Sequence, residues 1–284
     1  MKKAASNEIH CWFNALAAAW GPQHWWPARS RFEVIVGAFL TQNTNWRNVE
    51  RALANLIGAR ALSPAALRTI PLARLEQMVR PAGYFRQKAR RLKNFVRFLD
   101  RRYGGSLPRM FRVPTMQLRQ EMLALNGIGP ETADSILLYA GSHPVFVVDA
   151  YTRRVAARHG LLPFTADYEE LRELFERALA TREARVDAGD SPAGLPLLPG
   201  RGRPGLHTPT RIPIPHPPSR MSRALRGDLA QRYNEMHGLL VNVGKYHCHK
   251  HAPHCEGCPL EPFLPARGPQ PLSNQKKSKA GKTI

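Results

Sequence analysis

Residues Leu125 to Gly160 read LNGIGPETADSILLYAGSHPVFVVDAYTRRVAARHG. Gly127 and Gly129 bracket Ile128, so the backbone there must turn sharply or approach another molecule closely. Pro130 suits the first position of a helix, where its missing N–H costs nothing, and Glu131 favours the positive end of the helix dipole. Ala133, Ile136, Leu137 and Ala140 follow at i, i+3, i+4 and i+7, which predicts a helix that buries one face and stops near Gly141. Val145 to Val148 form an apolar connector, and Asp149 then opens a further helix through Ala150 and Val155. An aspartate before a helix is a common N-cap, and a capping carboxyl can still present an oxygen to a pocket. A helix, a glycine turn and a second helix leave N–H groups free for a phosphate. The stretch therefore predicts helices with a candidate anion site and a candidate carboxyl, and since no strand pattern elsewhere in the sequence is long enough to suggest a sheet, the expected class is all-α.

The 284 residues suffice for one large or two small domains. Forty-two Lys and Arg against 21 Asp and Glu give a formal charge of +21, which points to a polyanionic partner, nucleic acid before a membrane surface. No apolar run approaches membrane-spanning length, and Met1-Lys2-Lys3-Ala4 leads into no uninterrupted apolar segment of a secretory signal. Three of the four cysteines, Cys248, Cys255 and Cys258, crowd near the C-terminus, a spacing that reads as metal ligation in a reducing cytosol. Cys11 stands apart as a free thiol.

Before the central stretch, Ile9, Trp12, Leu16 and Trp20 share one helical face. Trp25 and Trp26 are adjacent and cannot both point into one local core. Phe32 to Leu40 predicts a buried helix, followed by the polar run Thr41-Gln42-Asn43-Thr44-Asn45 and then Trp46, an odd place for so many amides and hydroxyls unless something is recognised there. Helices follow near 46–57, 65–70, 72–79 and 85–102. The last carries Leu92, Phe95, Val96 and Leu99 on one side, with Arg86, Lys88, Arg90, Arg91, Lys93 and Arg97 around it, read as a solvated face of which some members contribute to phosphate attraction. Thr115 and Thr165 are expected to cap helices. From about Arg185 to Arg223 the chain is rich in Pro and Gly without periodicity and is expected to be a disordered insertion. A helix through Leu229, Tyr233, Met236, Leu240 and Val243 precedes the cysteines, and 266–284 reads as a flexible basic tail.

The hairpin Leu125-x-Gly127-Ile128-Gly129 together with Val148-Asp149 resembles the helix-hairpin-helix (HhH-GPD) DNA glycosylases of the endonuclease III superfamily. The Trp25-Trp26-Pro27 segment, the Thr41-Gln42-Asn43-Thr44 segment and the hairpin helix from Gly129 to Ala140 resemble the 3-methyladenine DNA glycosylase III branch most. The resemblance covers nearly the whole chain apart from the Pro-rich insertion and the tail. It implies two helical domains with a DNA-binding cleft between them: a barrel over 31–141, and a second domain of 1–30 plus 142–265. It also implies a monomeric base-excision-repair enzyme in the cytoplasm, bound to chromosomal DNA, acting on duplexes that contain damaged bases.

Within that resemblance Asp149 is the catalytic residue, ionised, opposing the positive charge that develops on the sugar or activating water. Gln42, Gly127, Ile128 and Gly129 contact DNA. Trp25, Trp26, Trp46 and Glu131 line the substrate pocket, where aromatic faces and a carboxylate favour a cationic alkylated base. Bifunctional relatives place a Schiff-base lysine two residues after the second hairpin glycine. Glu131 stands there, which predicts a monofunctional hydrolase without AP-lyase activity. An endonuclease III-like enzyme for oxidised pyrimidines, or a DNA-binding protein without catalysis, are the alternatives. Many members carry C-x6-C-x2-C-x5-C around a [4Fe–4S] cluster. Cys248, Cys255 and Cys258 match the first three positions and the fourth falls on Leu264. A cluster completed by another ligand, zinc held by thiolates and nearby histidines, or no metal all remain open.

Overall fold

The computed structural model describes residues 2–180, 212 and 217–272, with side chains from Ala5 onward. Among these residues the regular structure is helical, with no strand. Twelve α-helices follow in order: α1 Lys2–Trp20, α2 Arg31–Thr41, α3 Trp46–Gly58, α4 Pro64–Thr69, α5 Leu72–Val79, α6 Phe85–Tyr103, α7 Leu107–Met110, α8 Thr115–Leu123, α9 Pro130–Ser135, α10 Ala150–Arg158, α11 Tyr168–Ala180 and α12 Asp228–Tyr246. None is long and apolar enough to cross a membrane. The all-α expectation is met.

The chain divides into two compact units, one of 23–149 with 214–238, the other of 1–22, 150–213 and 239–284. In the first unit α2 is the central element. Every residue from Phe32 to Leu40 is buried, and α3, α6 and α9 pack around it. Its start is fixed by Ser30, whose hydroxyl accepts from Glu33 N at 3.1 Å, while the Glu33 carboxylate accepts from Arg29 N at 2.9 Å. In the second unit Ile9, Trp12 and Leu16 are fully buried along α1, which packs on α11. This is the face the sequence periodicity identified.

Three local expectations change. The Thr115 hydroxyl does not cap α8: Pro114 occupies the cap position, and the hydroxyl pairs with His143 Nδ1 at 2.9 Å. Helix α11 begins at Tyr168, three residues beyond Thr165, with Leu171 N bonded to Asp167 O at 3.2 Å. The end of the Pro-rich stretch is ordered and docked. Ser219 Oγ accepts from Ala28 N at 3.1 Å and donates to Trp26 O at 3.2 Å, Met221 N bonds Ala28 O at 3.0 Å, and Met221 and Ser222 are buried. Apart from Ile212, the rest of that insertion lies outside the described residues, as does the tail beyond Leu272. The start of the tail is tied down, Gln270 N bonding Arg158 O at 2.8 Å.

Candidate active site

The hairpin joins α8 to α9. Gly127 sits at φ +87°, and a Cβ there would fall 2.1 Å from Arg91 Nε, so only glycine lets the Arg91 side chain lie across the turn. Arg91 in turn donates to Gln42 Oε1 at 2.5 Å, and Gln42 Nε2 donates to Gly127 O at 3.0 Å and to Thr132 Oγ1 at 2.9 Å. Gln42 therefore braces the hairpin from the α2–α3 loop. Ile128 is buried and serves the turn through its N–H, bonded to Leu125 O at 3.1 Å, while Gly129 is exposed with open space over it. Beneath the turn a buried ion pair holds the two helices, Arg119 Nε to Asp134 Oδ1 at 2.6 Å and Nη2 to Oδ2 at 3.0 Å. Beyond Ser135 the helix relaxes into a π-helical turn over Ile136–Ala140, and all five residues are buried.

Most of the polar run after α2 has local partners. Asn45 caps α3 by accepting from Asn48 N at 3.0 Å, Thr41 Oγ1 donates to Gly37 O at 2.7 Å, and Asn48 Nδ2 donates to Thr44 Oγ1 at 3.3 Å. Those amides and hydroxyls are explained by helix ends rather than by a ligand. Asn43 is the exposed exception, at φ +52°. The cationic ring of α6 changes at two lysines: Lys88 is 1 % exposed and donates to Leu40 O at 2.9 Å and Ala82 O at 2.7 Å, and half-buried Lys93 donates to Arg68 O at 3.2 Å and Ile70 O at 2.5 Å, so neither ammonium is free for phosphate.

The aromatic candidates converge. The Trp26 ring lies edge-on to Trp46 at 5.2 Å, with Tyr139 at 5.1 Å and Trp25 at 6.0 Å. Trp26 is buried, whereas Trp25 and Trp46 are half-buried, and Trp46 Nε1 donates to Glu50 Oε1 at 3.0 Å. Segment 23–26 is held against α12 by Gln23 N to Glu235 Oε2 at 2.7 Å. Gly238 permits that approach, since a Cβ there would meet Gln23 Cβ at 3.0 Å and Trp25 Cβ at 3.1 Å.

At the end of the apolar connector Asp149 keeps 15 % of its side chain exposed, and its Oδ2 lies 3.7 Å from His237 Nε2. His237 Nδ1 pairs with the Tyr139 hydroxyl at 2.6 Å, and its ring contacts Trp25 and Phe146. Burial pulls the His237 imidazole below its usual range, partly offset by the Asp149 charge. Burial raises the Tyr139 phenol well above 10, and the charges of Asp149 and Glu131 add to that rise. Glu131 itself is exposed at the start of α9. One site thus gathers a carboxyl, three tryptophans, a tyrosine and a histidine.

Sequence reading missed Tyr139 and His237, and it named Arg91 only as one of the cations of α6, not as the side chain that lies over Gly127 and bonds Gln42. The available signal for His237 was a polar residue between Met236 and Gly238, beside the apolar stripe of α12.

The cysteines form a second locus. Cys248, Cys255, Cys258, His247, Glu261 and Leu264 line one pocket, with the Leu264 side chain where the fourth cysteine of the cysteine motif falls. Burial pushes the Cys258 thiol up to about 12. Arg158 Nη1 lies 3.3 Å from Cys248 Sγ, while Arg154 donates to Cys248 O at 2.5 Å and Gly244 O at 2.9 Å, so α10 pins the loop. His247 Nδ1 pairs with His254 O at 3.2 Å, leaving a buried Nε2 without a hydrogen bond. Among the described residues no three Cys, His, Asp or Glu side chains converge on a point a single ion could occupy. Zinc draws its donors to roughly 2.0–2.3 Å of one centre, whereas an iron–sulfur cube spaces its thiolates apart. The three thiols around this shared pocket are the donor set available to either group.

Residues 36–181 match the family model described as HhH-GPD superfamily base excision DNA repair protein. The chain is 36% identical over 265 residues to a putative DNA repair glycosylase of Methanocaldococcus jannaschii, covering 93% of this chain and 98% of that protein. It superposes on H. pylori 3-methyladenine DNA glycosylase bound to 1,N6-ethenoadenine with TM-score 0.60 and 26% identity, covering 85% and 97% of the two chains. A trapped endonuclease III–DNA covalent intermediate gives TM-score 0.63 at 21% identity, covering 90% and 93%, which shows a shared fold. With the hairpin, the aspartate and the helical fold already in place, these likenesses assign the chain to the HhH-GPD superfamily of base excision DNA repair proteins.

Proposed function

We propose that the protein is a monofunctional DNA glycosylase that releases alkylated purines from duplex DNA, with Asp149 as its catalytic residue. The observation that carries this reading is the Asp149 carboxyl 3.7 Å from His237, whose ring contacts Trp25 and Tyr139 in an aromatic cluster that extends to Trp26 and Trp46. A flipped base must be unstacked at a cost of a few kcal/mol, and aromatic faces recover part of that cost. Bases alkylated on a ring nitrogen carry positive charge, which strengthens stacking and attraction to Glu131. As the N-glycosidic bond breaks, its electron pair leaves with the base and positive charge builds on the sugar opposite Asp149. Water then attacks the anomeric carbon and Asp149 takes up its proton. The hairpin at Gly127–Gly129 and Arg91 are placed in this reading against the DNA backbone, with Gln42 as their brace.

The missing lyase lysine supports the hydrolytic reading. Glu131 carries no amine, and the buried Lys88 of α6 is committed to two backbone carbonyls. The likeness to the 3-methyladenine glycosylase bound to an etheno base favours alkylated purines over oxidised pyrimidines. Cys248, Cys255 and Cys258 would hold a [4Fe–4S] cluster, completed by a ligand other than Leu264. Bound there, such a cluster would cross-link the loop, while Arg154 and Arg158 hold its backbone in place.

The test is base release from duplexes carrying a single 3-methyladenine or a single thymine glycol, with strand nicking scored before and after alkali. Release of the alkylated base is expected, with nicking only after alkali, and with release slowed by orders of magnitude, to a still measurable rate, in Asp149→Asn. Nicking without alkali would overturn the monofunctional assignment, and release of thymine glycol alone would overturn the substrate class.

A further inference from the structure

We propose that His237 is a positioning residue for Asp149, itself set by Tyr139, so that Tyr139, His237 and Asp149 act as one hydrogen-bonded line. This rests on the reading of Asp149 as the catalytic carboxylate. The geometry is specific. His237 Nδ1 lies 2.6 Å from the Tyr139 hydroxyl, while Nε2 is buried, makes no hydrogen bond and lies 3.7 Å from Asp149 Oδ2. An unsatisfied buried nitrogen is costly unless it has a partner in some working state of the protein.

Hydrogen-bond logic then fixes the tautomer. If Nδ1 carried the proton, Nε2 would turn a lone pair toward a carboxylate, which is repulsive. With Tyr139 donating to Nδ1, the proton sits on Nε2 and points at Asp149. The tyrosine remains a donor because burial holds it protonated, with the charges of Asp149 and Glu131 acting in the same direction and the Trp25 side chain and Arg226 against. The histidine stays neutral at pH 7 because burial outweighs the attraction of Asp149. Neutrality matters: an imidazolium would cancel the carboxylate charge that opposes the developing cation, whereas a neutral N–H orients one oxygen and leaves the charge in place. The 3.7 Å separation closes to a hydrogen bond when the occupied site draws Asp149 into register, as catalytic contacts commonly tighten on binding. Trp25 and Phe146 pack on the ring and keep water from taking the proton's place.

The experiment uses the full-length chain and a duplex containing 1,N6-ethenoadenine. It compares wild type with His237→Phe, His237→Gln, Tyr139→Phe, Asp149→Asn and the His237→Phe/Asp149→Asn pair. Single-turnover base release and affinity for a duplex with a tetrahydrofuran abasic analogue are measured separately. His237→Phe is expected to slow release by about 10- to 100-fold, the range seen when a partner that orients a liganding side chain is lost, with affinity nearly unchanged. His237→Gln, which returns an N–H near Nε2, should recover much of the loss, and Tyr139→Phe should fall between. In the Asp149→Asn background His237→Phe should cost nothing further, because the two act as a unit. Normal release by His237→Phe, equal impairment of the Gln and Phe variants, or full additivity with Asp149→Asn would each overturn the proposal. Should His237→Phe fail to fold, the Gln and Tyr139→Phe variants carry the same test. Wild-type release by Asp149→Asn would instead sink the assignment of Asp149, and this inference with it.

Discussion

A single lysine shows how burial changes what a charge does. Lys88 shares the stripe of Leu92, Phe95 and Leu99 on α6, and the structure buries it to 1 % exposure between Leu40 O and Ala82 O. Burial, followed by the neighbouring Arg91 charge, lowers its pKa from 10.5 to about 8. Between those two values the folded chain binds fewer protons at this site than the unfolded chain, so the site's contribution to stability rises with pH and its penalty is complete below pH 8. Urea unfolding of wild type and Lys88→Met at pH 7.5 and pH 10 checks this. The stability difference should move in favour of wild type at the higher pH by an amount on the order of 2 kcal/mol. An unchanged difference would mean that the ammonium is well solvated. The same contrast explains what could be read at the residue scale. Asp149 and the three tryptophans stood out because each was conspicuous in its local context. His237 and Tyr139 did not, because the bond that joins them spans 98 positions and no local pattern encodes it.

At the scale of elements, the helices were legible wherever an apolar stripe coincided with a punctuating Gly or Pro, as in α2, α6 and the hairpin. The π-helical turn at Ile136–Ala140 was not, because its five residues are apolar and buried in either helical form. Nor was the docking of Ser219 and Met221 on Ala28, since a Pro-rich composition describes a segment's own preference and not the backbone groups waiting for it elsewhere. What locks the hairpin was likewise hidden. Arg119 and Asp134 look like surface charges of two short helices, yet they meet in two hydrogen bonds with side-chain exposures of 6% and 0%. Breaking such a pair leaves an uncompensated buried charge at a cost of roughly 3–5 kcal/mol. Asp134→Asn should therefore lower the midpoint of urea unfolding sharply, whereas replacing both partners with apolar residues of similar size should restore much of it. If the single substitution were harmless, the pair would be a spectator and the hairpin would owe its geometry to apolar packing alone.

For the whole molecule the dominant quantity is charge. A surplus of +21 over 284 residues is far more than two compact helical units need, and it acts on a phosphate backbone through counterion release rather than through base recognition. Lys276, Lys277, Lys279 and Lys282 contribute four of those charges without an acidic neighbour from Ser273 onward. If they add phosphate contacts, each neutralised phosphate contributes about 0.9 to the slope of log affinity against log salt. A chain ending at Leu272 should then show a flatter slope for an abasic-analogue duplex, its loss of affinity relative to the full chain being larger at 50 mM than at 200 mM salt, as read by fluorescence anisotropy over that range. Its single-turnover base release under saturating protein should stay the same, because the Asp149 site draws on residues between Gln23 and His237. An unchanged slope would place the counterion release elsewhere, on the exposed arginines of α6. A slower chemical step at saturation would mean that the tail shapes the bound DNA as well as attracting it.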